Sequence, residues 1–285
     1  MSQAQQRYGV IGWPVAHSCS PLMQEAAFRA VGINATYELL PVAPENLAQA
    51  IPRLLAQGYK GWNVTVPHKE AMLSLLQYPD KEAALIGSVN TVLVKNQQLY
   101  GYSTDGYGLQ AALWYNFNLP LAGSRVFFLG CGGAARAAAC HFAMHQTAEI
   151  VLSNRTKTKA LTLAADLARL APDCKVRVLP LDDETGIAKT LPEMQLLLQC
   201  TSLGLRDKDP LPLNPDLVPH NLPVFDMIYA ETAFQKLLKK QGKQAVPGWD
   251  MLIYQGCRSF EIWTGQTAPE MAMRQALQQS GKMKC

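Results

Sequence analysis

The sequence predicts an α/β protein of two domains, and three observations carry that prediction. Its 285 residues suffice for two cores or one large α/β unit. Short β-branched or apolar runs alternate with longer helical stretches, the pattern of a parallel sheet covered by helices. One apolar run, at 126–129, empties into a glycine-rich turn at the head of an alanine-rich helix.

In chain order, strands are expected at 8–11, 36–40, 62–66, 91–94, 126–129, 150–153, 176–179, 196–200 and 224–227, where apolar and β-branched residues cluster between turn formers. The first helix starts at Ser20-Pro21, with Ser20 capping free N–H groups and Pro21 in the first helical position, and it ends at Gly32. Further helices are expected at 44–56, with Pro52 as a kink, and at 68–76, 106–117, 133–145, 157–170, 233–240, 251–263 and 269–279.

Composition bounds the function. Hydrophobic residues make up 48% and charged residues 17%, the balance of a globular chain and not of a disordered one. A net charge of +4 without any long basic run argues against nucleic acid as a partner but leaves room for a local phosphate pocket; the densest basic pair, Lys239-Lys240, reads as a solvated helix end. Seven cysteines without a Cys-x-x-Cys pair fit neither a disulfide framework nor a zinc site, so reduced cytosolic thiols and no metal are expected. No basic segment precedes a long apolar one at the N-terminus, and no apolar run approaches roughly 18 residues. A cytoplasmic protein without a membrane span is expected.

The chemistry starts at RVFFLGCGGAA, residues 125–135. Gly130 allows the tight turn, Gly132 lets the backbone approach a pyrophosphate, and small Ala135 lets helix and strand pack closely, with Gly133 and Ala134 opening the helix. The strand before and the helix after make this a Rossmann-like dinucleotide turn; the competing reading is a glycine turn made only for packing. About 20 residues on, where an NAD site wants an acid for the ribose, the chain has Ser153-Asn154-Arg155-Thr156. An acid would repel a 2′-phosphate, whereas Arg155 can grip one, so NADP is the expected cofactor. Lys157 and Lys159 add charge nearby or are solvated surface.

Three polar clusters interrupt strand ends in the first 105 residues. Ser18 and Ser20 stand beside a helix N-terminus, where hydroxyls bind a carboxylate or simply cap the helix. GWNVTVPHKE at 61–70 puts Lys69 in the first turn of a helix, against the dipole; on spacing alone a surface lysine is the plainer reading. SVNT at 88–91 and STDGYG at 103–108 hold Asp105, which caps the next helix or forms a Lys–Asp pair suited to alcohol–ketone chemistry.

Taken together, YGVIGWPVAHSCSP at 8–21, KGWNVTVPHKE at 60–70, SVNT at 88–91, STDG at 103–106, GCGGAAR at 130–136, SNRT at 153–156, FDMIY at 225–229 and PGWDMLIYQG at 247–256 resemble, in order, the motifs of the shikimate dehydrogenase (shikimate/quinate dehydrogenase) family. The resemblance covers nearly the whole chain. It implies reversible NADPH-dependent reduction of 3-dehydroshikimate to shikimate, a step of aromatic amino-acid biosynthesis, by a monomer or homodimer. By the same resemblance Lys69 is the acid/base and Asp105 orients it and hydrogen-bonds a ring hydroxyl. Ser18 and Ser20 hold the carboxylate, and Asn63, Thr65, Asn90, Tyr229 and Gln255 surround the substrate. Gly132, Gly133 and Ala134 form the pyrophosphate turn; Asn154, Arg155, Thr156 and Lys159 clamp the 2′-phosphate; Met227, Gly248 and Met251 surround the nicotinamide. The expected domains are a substrate domain of 1–105 completed by C-terminal helices at 249–285, and a Rossmann-like NADP domain at 106–248. Ser103, Cys131 and Trp249-Asp250 depart from the residues usual there, namely Asn, Ala and Leu-Gly. Two alternatives stay open: a quinate/shikimate dehydrogenase that uses NAD or accepts quinate, and a sensor that binds NADP and shikimate without turnover.

Overall fold

The computed structural model describes residues 5–206 and 208–283. The chain divides into two compact units, Met1–Gly108 with Leu252–Cys285, and Leu109–Met251.

The first unit runs β1 (Gln6–Gly12), α1 (Ser20–Ala30), β2 (Ala35–Pro41), α2 (Leu47–Ala56), β3 (Tyr59–Val64), α3 (Lys69–Leu73), β4 (Tyr78–Pro79), α4 (Lys81–Ile86), β5 (Thr91–Lys95) and β6 (Gln98–Tyr102). Its sheet has the order β2-β1-β3-β5-β6-β4. β1 pairs in parallel with β2 and β3, while β5 is antiparallel to both β3 and β6. The chain leaves β1 for one side and returns to its other side at β3, a switch point that opens a crevice at the carboxyl ends of β1 and β3. Because β5 runs the other way, the residue before it, Asn90, and those after β6, Thr104 and Asp105, come to that same sheet edge.

Several expected boundaries move for local reasons. The strand expected at 62–66 lies at Tyr59–Val64, because the chain turns at Thr65, whose carbonyl accepts from His68 N at 2.9 Å. The helix expected at 44–56 opens as a 3-10 turn before α2, which continues through Pro52. Ser20 does not cap α1: the helix already contains it, and the Ser18 hydroxyl accepts from Ser20 N at 3.2 Å. β6 was not expected. It is reached through a two-residue hairpin, Asn96-Gln97, in which both residues have positive φ (53° and 62°).

α5 (Asp105–Phe117) carries the chain into the second unit, which runs β7 (Arg125–Leu129), α6 (Gly133–Met144), β8 (Glu149–Ser153), α7 (Lys157–Leu170), β9 (Lys175–Val178), α8 (Glu184–Thr190), β10 (Leu196–Gln199), β11 (Val224–Asp226), α9 (Ala233–Lys240) and β12 (Ala245–Val246). Its sheet is parallel throughout, in the order β9-β8-β7-β10-β11-β12. Renumbered within the unit this is 3-2-1-4-5-6, the Rossmann order, with the switch point between β7 and β10. Val126–Leu129 and Leu196–Leu198 are wholly buried, as strands covered on both faces must be.

α10 (Trp249–Thr264) and α11 (Glu270–Gln279) return the chain to the first unit, where α11 packs on α1. Phe260 and Trp263 of α10 close an aromatic layer with Tyr8 and Phe28, and the Trp263 indole donates to Val92 O at 2.9 Å.

Candidate active site

At the carboxyl edge of the first sheet, Lys69 Nζ lies 2.6 Å from Asp105 Oδ2, with both side chains mostly buried. α3 begins at Lys69 because Thr65 to His68 form the turn after β3; α5 begins at Asp105 directly after β6. Asn90 bridges the two arms: its Nδ2 donates to Asp105 Oδ1 at 2.8 Å and to Thr104 Oγ1 at 2.9 Å, while its Oδ1 accepts from Thr104 N at 2.7 Å. The Asp105 carboxylate is thereby held at both oxygens, and the lysine ammonium is aimed by it. Gln255 joins through Oε1, 3.4 Å from Asn90 Nδ2, and donates to Leu252 O at 2.8 Å within α10.

Ser18 and Ser20 stand together at the start of α1, with hydroxyls 3.2 Å apart. Thr65 is half-buried, and its hydroxyl has no bond among the described residues. Asn63 differs. It is buried, its Oδ1 accepts from Tyr37 OH at 2.6 Å, and its Nδ2 donates to Asn90 O, Thr91 Oγ1 and Ser259 Oγ. Its bonds thus run inward, into the scaffold that carries Asn90.

Tyr37, Thr104 and Ser259 were not singled out in the sequence. Tyr37 links Ser20 to Asn63, and burial holds its phenol well above the usual range. The Thr104 hydroxyl donates to Gln255 O at 3.1 Å, and Ser259 Oγ lies 2.8 Å from Thr91 Oγ1. Only Thr104 carried a signal, as the middle of the STDG run.

In the second unit a cavity of about 420 Å³ sits at the switch point. It is bounded by Gly130 to Ala134 after β7, by Ser153 to Thr156 with Lys159 after β8, by Cys200 to Leu203 after β10, and by Leu181 and Pro212. Gly130 has φ +103°, the conformation the tight turn requires. A Cβ at Gly132 or Gly133 would project into open space, the room a pyrophosphate needs above the first N–H groups of α6. Asn154 braces the floor: its Oδ1 accepts from Cys131 N at 3.1 Å and its Nδ2 donates to Thr156 O at 2.9 Å. Arg155 and Lys159 are exposed and have no carboxylate partner among the described residues, so their charge is available to an anion. The Ser153 hydroxyl, buried against this cavity, has no partner there. The residues fit a phosphorylated dinucleotide.

Cys131 and Cys200 line the same cavity; burial pushes the Cys131 thiol up to about 11 and Cys200 well above its ordinary value. After β11, Asp226 is buried with its carboxyl raised by burial, and it accepts from Ile228 N and Thr232 Oγ1, each at 3.0 Å. That turn carries Met227, half-buried, and Tyr229, exposed. Gly248 N donates to Ile228 O at 3.0 Å, Trp249 stacks on Tyr229, and Asp250 accepts from Asn116 Nδ2 at 2.8 Å. Met251 follows, half-buried. Among the described residues no helix is long and apolar enough to cross a membrane, and no group of three or more His, Cys, Asp and Glu is placed to hold a metal ion.

Comparison with known proteins finds relatives over nearly the whole chain. Residues 10–92 match the family described as shikimate dehydrogenase substrate binding domain, and residues 248–278 match the shikimate 5'-dehydrogenase C-terminal domain. The shikimate dehydrogenase (NADP(+)) of Moorella thermoacetica is 40% identical over 274 residues, 95% of this chain and 92% of that protein. The crystal structure of shikimate dehydrogenase from Aquifex aeolicus superposes with a TM-score of 0.87 at 37% identity, covering 97% of this chain and 99% of that one. The Thermus thermophilus enzyme, solved with NADP(H) and shikimate, gives 0.84 at 32% identity, covering 96% and 99%.

Proposed function

The chain belongs to the shikimate dehydrogenase family, and on that premise we propose how its own residues carry out the reversible NADPH-dependent reduction of 3-dehydroshikimate to shikimate. It is an NADP-dependent oxidoreductase acting on a CH–OH group, on the path to chorismate and the aromatic amino acids. The observation that carries the residue assignment is the Lys69–Asp105 pair, held by Asn90 at the open edge of a sheet.

Ser18 and Ser20 take the substrate carboxylate at the N-terminus of α1. Thr65, Asn90, Asp105 and Gln255 take the ring hydroxyls, Asn63 acts through the scaffold it braces, and Tyr229 keeps the substrate-lining role that the family resemblance implies. Bound NADPH supplies the hydride. As the ketone carbon is reduced, Lys69 donates the proton that makes its oxygen a hydroxyl; in the oxidative direction the neutral amine takes it back. Asp105 keeps the amine aimed at that oxygen and accepts from a neighbouring ring hydroxyl. Gly132, Gly133 and Ala134, after the Gly130 turn, would hold the pyrophosphate through their N–H groups, Asn154, Arg155, Thr156 and Lys159 would hold the 2′-phosphate, and Met227, Gly248 and Met251 would surround the nicotinamide. The reaction is that of a cytoplasmic enzyme with a small-molecule substrate and no nucleic-acid partner, acting as a monomer or homodimer.

Shikimate oxidation followed by cofactor absorbance, with NADP and with NAD, tests this reading. NADP is expected to give much the higher kcat/KM, and Arg155→Ala is expected to erase most of that preference by weakening NADP alone. Equal efficiency with NAD would overturn the cofactor assignment. Tight binding of both ligands without turnover would make the protein a sensor.

A further inference from the structure

We propose that Ser153 is a further cofactor-binding residue, whose hydroxyl bonds the adenosine part of NADP. This rests on the reading of the cavity after β7 and β8 as the cofactor site. Ser153 ends β8, is wholly buried, and lines that cavity. Its main chain is fixed, since its carbonyl accepts from Gly130 N at 2.7 Å. Its side chain shares a sheet face with Leu129, the residue opposite it on β7, and Leu129 lines the same cavity.

The hydroxyl is an exception in this protein. The buried hydroxyls of Ser124 and Ser259 reach carbonyls three and four residues back, at 2.7 and 3.0 Å. An extended strand offers no such acceptor, because its carbonyls lie in the plane of the sheet while side chains stand off it. Ser153 Oγ is accordingly the one serine or threonine hydroxyl, among the described residues, that is buried without a partner. A buried group left unpaired destabilises the chain that carries it, and a position on the cavity wall lets a bound molecule supply the missing bond.

The surroundings select which part of the cofactor supplies it. A phosphate dianion calls for charge-assisted bonds, and the cations here, Arg155 and Lys159, are exposed. Ser153 lies deeper, beside Leu129, in a cavity also bounded by Leu181. A single neutral hydroxyl among apolar neighbours suits a neutral nucleoside, whose ring nitrogens, amine and ribose hydroxyls each offer a hydrogen bond without a charge to bury.

Ser153→Ala tests this through two readings of opposite sign. The Kd for NADP, from isothermal titration, is expected to rise by about 2- to 12-fold, the factor that one net hydrogen bond supplies. The melting temperature of the cofactor-free protein is expected to stay level or rise, because an unpaired hydroxyl has been removed. With NAD, kcat/KM is expected to fall by the same factor as with NADP, in contrast to Arg155→Ala, which weakens NADP alone. Ser153→Cys keeps the volume but hydrogen-bonds weakly, so it is expected to behave as Ser153→Ala does. An unchanged NADP Kd overturns the proposal. So does a loss of affinity that comes with a lowered melting temperature, which marks a structural bond, or one that Ser153→Cys repairs, which marks packing. A loss confined to NADP would move the bond to the 2′-phosphate and overturn the assignment to adenosine. If Arg155→Ala also leaves the NADP Kd unchanged, the reading of the cavity itself falls; if only Ser153→Ala does, this proposal falls alone.

Discussion

The Lys69 ammonium and the Asp105 carboxylate meet at 2.6 Å although 36 positions separate them in the chain, and neither has to travel to find the other when substrate arrives. That prior placement is what an acid/base needs, since proton transfer requires hydrogen-bond reach at the moment the carbon is reduced. Lys69→Ala is therefore expected to lower kcat by about 10²- to 10⁴-fold, with NADP affinity and melting temperature close to wild type. Steady-state kinetics beside a thermal melt separates the two, and a variant that keeps most of its kcat removes Lys69 from the chemistry. How much of this was legible differs by residue. Lys69 and Asp105 each looked like ordinary helix-start residues, and only the ordered motifs around them joined the two. Arg155 stood out by charge alone, a cation where a carboxylate belongs, and the fold places it on the wall of the cavity. Tyr37 left no trace, since a tyrosine in a half-buried strand reads as core, and nothing in the sequence reveals that its hydroxyl would find Asn63 across the sheet. Asn63 itself looked like a ligand group because a buried amide and an exposed one are the same letter.

Elements were legible where a helix or strand is announced by its own residues. β7, α6 and β8 follow from an apolar run, a glycine turn and a second apolar run, and their parallel pairing places the turn at the sheet's switch point. β6 was hidden because its hairpin uses Asn96-Gln97 where an Asn-Gly pair would have signalled two positive φ values. α8 was hidden for a different reason. It is seven residues long and starts at an Asp183 cap, whose carboxylate accepts from Gly186 N at 2.8 Å, in a stretch with little periodicity. The turn after β11 gives a prediction of its own. Burial raises the Asp226 carboxyl, so the folded chain holds that proton more tightly than the unfolded one. Its contribution to stability is therefore full below the ordinary carboxylate range and declines as pH rises through the raised value. Asp226→Asn removes that decline, and the stability of the variant relative to wild type is expected to improve from about pH 4 upward. Urea midpoints at pH 4 and pH 7 measure it; a difference that does not change with pH would show that Asp226 ionises normally.

At the scale of the molecule, each unit has a core and a sheet of its own, and each sheet offers a crevice at its switch point. Substrate and cofactor should accordingly leave separate footprints. Hydrogen exchange with shikimate alone is expected to slow amides at 18–20, 63–69 and 90–105, and exchange with NADP alone those at 130–136 and 153–159. At a ligand concentration of 100 Kd the stabilisation available is about 2.7 kcal/mol, enough to read in either set. NADP protection confined to the first set would refute the division of labour. The cofactor cradle itself has a further consequence. On the proposed reading its grip on a pyrophosphate would be made of main-chain amides at the head of α6, with Cys131 buried to one side, and a main-chain atom has no genetic letter of its own. Such a hold is inherited through the bend of the chain, so neighbouring side chains are free to drift across generations as long as the bend survives.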